Sequence, residues 1–142
     1  MKKFEEFLKE RVVRKQFPDR ARANDLIEES KRKLKNLKRI IEKMGIDDEN
    51  SNNLVEDSYD VLLGLVRARM FLNGFSASGK GAHEAEVAFA RKLGLNEREI
   101  YMLDQLRYFR NGILYYGKRF DKEYAEKVLA FLDKVYRILI KI

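Results

Sequence analysis

The chain reads as all-α, and three observations carry that reading. Apolar residues recur at spacings of three and four over long stretches, the pattern of one helix face. Proline occurs once, at position 18, and the eight glycines fall mostly between those stretches. Four of the stretches are long enough for helices of roughly 15 to 25 residues with short connections, so the expected architecture is an antiparallel bundle with shorter helices added. A chain of 142 residues, 45% of them hydrophobic, is sized for one domain over 1–142 with a single core.

Each element has its own reason. The first helix is expected over about 2–16, with Phe4, Phe7, Leu8, Val12 and Val13 loosely on one side, before Phe17-Pro18 interrupts it. Residues 1–18 either pack on the bundle of 19–142 or reach a partner. The second helix is expected over about 19–44, with Ile27, Leu34, Leu37, Ile41 and Met44 on one seam and Gly45 closing it. A polar loop from Asp47 to Asn53 supplies N-caps for a third helix over about 52–73, which carries Val55, Tyr59, Leu62, Val66 and Met70. The segment Ser76-Ala77-Ser78-Gly79-Lys80-Gly81 reads as a flexible loop, and a shorter helix follows over about 82–93, stopped by Gly94. Asn96 with Glu99 is a capping-box signature for a fifth helix running to about Tyr116. Asp121 caps a sixth, with Tyr124, Val128, Phe131, Val135, Ile138 and Ile142 as its apolar stripe.

Composition excludes several chemistries. Without cysteine there is no disulfide framework, thiolate metal site or cysteine nucleophile, and a single histidine builds no multi-histidine site. No metal and no cofactor are expected. The N-terminal run MKKFEEFLKER places acids where a signal peptide needs an apolar segment, and no apolar run is long enough to span a bilayer, so a cytoplasmic chain without membrane contact is expected. The net charge of +7 is concentrated in residues 1–45, which hold 15 Lys and Arg against 8 Asp and Glu. Lys31, Lys35, Lys38 and Arg39 form its densest patch, either the electrostatic footprint of a polyanion-binding helix or the solvated face of a heat-stable one.

Candidate chemistry concentrates in two places. The SASGKGAH segment has glycines and a lysine before a helix, yet lacks the P-loop order, because Gly follows Lys80 and no strand precedes it. His83 lies in the next helical turn beside Glu84 and Glu86; it can move protons near neutral pH, and nothing in the local sequence pairs it with a nucleophile. The segment from Leu106 to Gly117 is more informative. Its apolar stripe runs Leu103, Leu106, Ile113 and Leu114, and the missing step at position 110 is arginine. A guanidinium on a core-facing seam must be paired or must face a cleft. One reading pairs Arg110 with Glu56, Asp57 or Asp60 on the third helix, where it only sets bundle register. The other points Arg110 into a cleft.

The Arg110-Asn111 pair on a penultimate helix, a ring at Tyr115 one turn later and a final amphipathic helix resemble the HEPN family (higher eukaryotes and prokaryotes nucleotide-binding). So do SYDVLLGLVRARMFLNG on the third helix and GAHEAEVAFARKLG after it, and the resemblance covers about residues 20–142. It implies an up-and-down helical bundle that pairs as a homodimer. In active members an arginine, followed about a turn later by histidine, forms an RNA-cleaving site across the dimer cleft. Here the arginine is Arg110 and the histidine position is Tyr115. With an ordinary pKa near 10, tyrosine is no proton shuttle at neutral pH, though it can stack on a base and donate a hydrogen bond. The resemblance therefore implies binding of RNA or a nucleotide through a cleft of Arg110, Asn111, Tyr115 and Tyr116, with Arg107 and Asp60 as further ligand-binding candidates. Two other roles stay open: a metal-independent endoribonuclease with Arg110 and Tyr115 as catalytic candidates, and the helical partner of a separately encoded nucleotidyltransferase in a toxin-antitoxin pair.

Overall fold

The computed structural model describes residues 2–116 and 119–141, with side chains at all of these except 113–116. Among the described residues there are six α-helices and one two-stranded sheet. The chain is mostly helical, as its periodicity predicts.

The N-terminal segment departs from the sequence expectation. Helix α1 spans only Phe4–Lys9, and Val13–Lys15 form strand β1. Arg11 adopts φ +61°, a left-handed value that no α-helix accommodates, and Val12 and Val13 are β-branched residues that lose little by extending. Strand β1 pairs antiparallel with β2, Phe75–Ala77, in the register Val13 to Ala77, Arg14 to Ser76 and Lys15 to Phe75. Ser76 and Ala77, the start of the segment predicted as a flexible loop, are therefore ladder, and Ser78 N–H also donates to Val12 C=O at 3.1 Å. Phe4, Phe7 and Val13 belong to the core. The Phe4 ring meets Phe75 edge-on at 5.2 Å and Phe89 at 4.9 Å, which fastens α1 and the small sheet to the helices that follow.

Helix α2 spans Arg20–Met44, with Asp19 accepting from Arg22 N–H and Gly45 N–H donating to Ile41 C=O. Ile27, Leu34 and Leu37 are buried as the seam predicts, whereas Met44 at its end is exposed. Helix α3, Ser51–Leu72, is the central element; it packs on α2 and on the four later helical and strand elements around it. Its partners on α2 run in opposite order: Asp19 N–H bonds Phe71 C=O, Gly64 meets Leu26 and Ser30, and Ser30 Oγ donates to Val61 C=O at 3.0 Å. A side chain at position 64 would collide with Ser30 Oγ, so glycine there permits the close approach of the two helices.

Helix α4, Ala82–Phe89, continues into a 3-10 turn, Ala90–Leu93, that ends at Gly94 with φ +101°. Helix α5, Glu97–Tyr116, starts with the predicted capping box: Glu99 N–H donates to Asn96 Oδ1 at 2.8 Å, and Asn96 N–H to Glu99 Oε1 at 2.9 Å. Helix α6, Lys122–Leu139, is capped by Asp121, which accepts from Tyr124 N–H at 2.8 Å. Its buried seam is Ala125, Val128, Leu132, Val135 and Leu139. Tyr124, Phe131 and Ile138 of the predicted stripe sit at the seam's edge, half-buried, and Ile142 lies outside the described residues. No helix among the described residues is long and apolar enough to cross a membrane.

Candidate functional site

Helices α2, α3, α4 and α5 enclose a cavity of about 310 Å³. Each long helix presents one stripe to it at spacings of three and four: Leu26, Glu29, Ser30 and Lys33 from α2; Tyr59, Asp60, Leu63, Gly64 and Arg67 from α3; Arg107, Arg110 and Asn111 from α5. His83 adds the wall from α4. Small residues at 30 and 64, within these stripes, bring α2 against α3, and four long cationic side chains, Lys33, Arg67, Arg107 and Arg110, are among the lining.

Arg110 is paired within the chain. Its Nε donates to Asp60 Oδ1 at 2.9 Å and its Nη2 to Asp60 Oδ2 at 3.3 Å, a two-pronged contact, while Lys33 Nζ lies 3.7 Å from the same Oδ2. One carboxylate thus serves two cations, and a net positive charge remains at the cavity wall. Burial alone would lower the Arg110 pKa, but its bond to Asp60 outweighs this and raises it. Two further carboxylates stand on the neighbouring turns of α3: burial pushes both Glu56 and Asp57 above the usual carboxylate range. Arg107 donates from Nε to Asp104 Oδ1 at 2.9 Å.

A second cluster sits beside the first. Glu86 is almost completely buried; its carboxylate accepts from Arg67 Nε and, at 3.0 Å, from Arg67 Nη2, and it lies 3.0 Å from His83 Nδ1. Burial would raise the Glu86 pKa, yet the bonds from His83 and Arg67 prevail and hold it below the ordinary value. A carboxylate can only accept, so His83 Nδ1 carries the hydrogen of this bond. Tyr59 is 3% exposed, and its hydroxyl has no hydrogen-bond partner among the described residues. Burial pushes its pKa up, so at neutral pH it stays a donor.

The structure brings Asp60, Arg107, Arg110 and Asn111 together at one cavity and adds His83 to them. The side chains of Tyr115 and Tyr116 lie outside the described residues. Lys31, Lys35, Lys38 and Arg39 are exposed and do not line the cavity. At 3.6 residues per turn they sit roughly 120–160° around α2 from Lys33. Sequence reasoning missed Lys33, Tyr59, Arg67 and Glu86 as members of the site. Two of them carried a signal of the kind that marks Arg110: Arg67 interrupts the apolar run LLGLVRARMFL, and Glu86 interrupts AEVAFA. Among the described residues no group of three or more His, Asp or Glu side chains is arranged to hold a metal ion. Compared with known proteins, the chain matches no family model, no curated protein and no solved structure.

Proposed function

We propose that this protein is a HEPN-like antiparallel helical bundle, working as a homodimer, that binds RNA or a nucleotide in the cavity between α2, α3 and α5. The observation that carries the reading is the convergence of Lys33, Arg67, Arg107, Arg110 and Asn111 on that one cavity. Guanidinium groups and amides arranged around an open cavity suit an acceptor-rich anion, and the phosphates of a nucleotide are such a group. The decisive experiment is binding of fluorescently labelled single-stranded RNA, followed by anisotropy at several salt concentrations, for wild type and Arg110→Ala. Binding that weakens in the variant and falls with salt supports the reading. RNA binding unchanged in a variant of sharply lowered melting temperature would return Arg110 to a purely structural ion pair.

A second reading, metal-independent cleavage of RNA, is favoured by one specific observation. His83, with Nδ1 held by buried Glu86, lines the same cavity as Arg110. An imidazole oriented by a carboxylate can take a proton at Nε2, the role that Tyr115 cannot fill at neutral pH. Wild-type protein that cuts end-labelled RNA in the presence of a chelator, with the activity lost in His83→Ala, would make the protein an enzyme.

A further inference from the structure

We propose that the cavity is a seat for a terminal phosphoryl group, with the Tyr59 hydroxyl as its innermost donor. This rests on the binding reading above and narrows the ligand to a phosphate monoester, as opposed to a diester in the middle of a strand.

The donors and acceptors that face the cavity are unequal. Both oxygens of Asp60 are engaged by Arg110, with Lys33 close to one of them, and both oxygens of Glu86 are engaged by Arg67, with His83 on one. Glu29, the other carboxylate on the lining, accepts from Arg32 at Oε2, and Ser30 Oγ is spent on Val61 C=O. What remains on the donor side is the Tyr59 hydroxyl, the N–H groups of Arg110 not directed at Asp60, the Lys33 ammonium and the Asn111 amide. A buried hydroxyl without a partner bears the full cost of its desolvation; the charge acting most strongly on it is the Glu86 carboxylate, which Arg67 and His83 already engage, and Arg107, Arg67 and Arg110 follow. A ligand that balances this set must bring several acceptor oxygens on one centre.

Shape selects among such ligands. A phosphate monoester presents three oxygens and has a single substituent, so it enters end-on and can bring one oxygen to Tyr59. A diester has two substituents, and to reach a side chain only 3% exposed it would have to thread both through the cavity. About 310 Å³ holds a phosphoryl group and a sugar-sized body, not a strand passing through. The terminal phosphate of an RNA end and that of a free nucleotide share this chemistry.

The test uses one oligoribonucleotide, labelled at its 3′ end, in 5′-phosphorylated and 5′-hydroxyl forms, with adenosine 5′-monophosphate as competitor. The phosphorylated form is expected to bind at least about tenfold more tightly, the scale of one charge-assisted hydrogen bond. Tyr59→Phe is expected to abolish most of that preference while its melting temperature stays level or rises, because the variant loses only an unpartnered hydroxyl. Competition by the mononucleotide at concentrations matching the oligonucleotide assigns the phosphate to a free nucleotide; weak competition assigns it to an RNA end. Equal binding of the two oligonucleotide forms, or a preference that survives Tyr59→Phe, overturns the proposal and leaves the cavity-binding reading standing. Failure of both forms and of the mononucleotide to bind removes that underlying reading as well.

Discussion

Arg110 and Glu86 are each held by a partner, and each pairing makes a measurable prediction. Arg110→Ala leaves Asp60 with Lys33 at 3.7 Å as its remaining cation and removes the cavity's central guanidinium. RNA affinity is expected to fall by about 1–3 kcal/mol, read by anisotropy, with a smaller loss of stability because the pair is partly solvated. Glu86 speaks to pH. Its carboxyl is held below its ordinary value, so it contributes stability that is complete above the unfolded carboxylate pKa of about 4.3 and is lost as the pH falls through the folded value. Melting temperature recorded from pH 7 to 3 should drop more steeply below about pH 4.5 in wild type than in Glu86→Gln. At pH 7 the same substitution should cost about 1–3 kcal/mol, since it strips the half-buried Arg67 of its carboxylate. Parallel curves for the two proteins would show that Glu86 is not the acid that matters.

Helices α2 and α3 meet where Ser30 and Gly64 remove side-chain bulk, and this contact sets the spacing of the stripes that line the cavity. Gly64→Ala should destabilise the chain by about 1–3 kcal/mol, the cost of forcing an extra carbon into a packed contact. Because the new carbon meets Ser30 Oγ, the double variant Ser30→Ala, Gly64→Ala should recover part of that loss in denaturant unfolding. Strict additivity of the two changes would mean that the collision is relieved elsewhere. Helix α2 also carries two separate cationic faces, Lys33 toward the cavity and Lys31, Lys35 and Lys38 away from it. If RNA continues from the cavity around α2, reversing the three outer lysines is expected to weaken binding and flatten the salt dependence by about 0.7 of log-log slope per lost phosphate contact. An unchanged slope confines binding to the cavity, and Lys33→Glu alone should then carry the loss.

At the scale of the molecule, the internal Arg110 to Asp60 pair satisfies the charge without a second copy, so a dimer must rest on other surfaces. Tyr101 and Tyr108, 64% and 65% exposed and two turns apart on α5, are two large rings on one helix that a partner could cover. Light scattering is expected to give twice the 16.8 kDa chain mass, and Tyr108→Glu to shift it toward the single chain. A wild-type mass that stays at one chain over a range of concentrations would exclude the homodimer.

The helices of this protein were legible in the sequence because their causes are local. The three-and-four spacing of Val55, Tyr59, Leu62 and Val66, the Asn96 and Glu99 box, and the cap at Asp121 are interactions between residues within a few positions of one another. Arg110 was visible for the same reason, as a charge that breaks an apolar seam. The strand at Val13–Lys15 was not, since it exists only through pairing with Phe75–Ala77, some sixty residues away, and local spacing there suits a helix equally well. Membership of the site was likewise a tertiary decision. Position along α2 does not tell whether Lys33 or Lys35 faces α3 and α5; the close approach at Ser30 and Gly64 fixes the rotation of the helix and turns Lys33 inward. Asp60, chosen by Arg110 over Glu56 and Asp57, and Tyr59, buried with its hydroxyl unmatched, depend on the same packing, which brings four helices to one cavity that no single helix encodes.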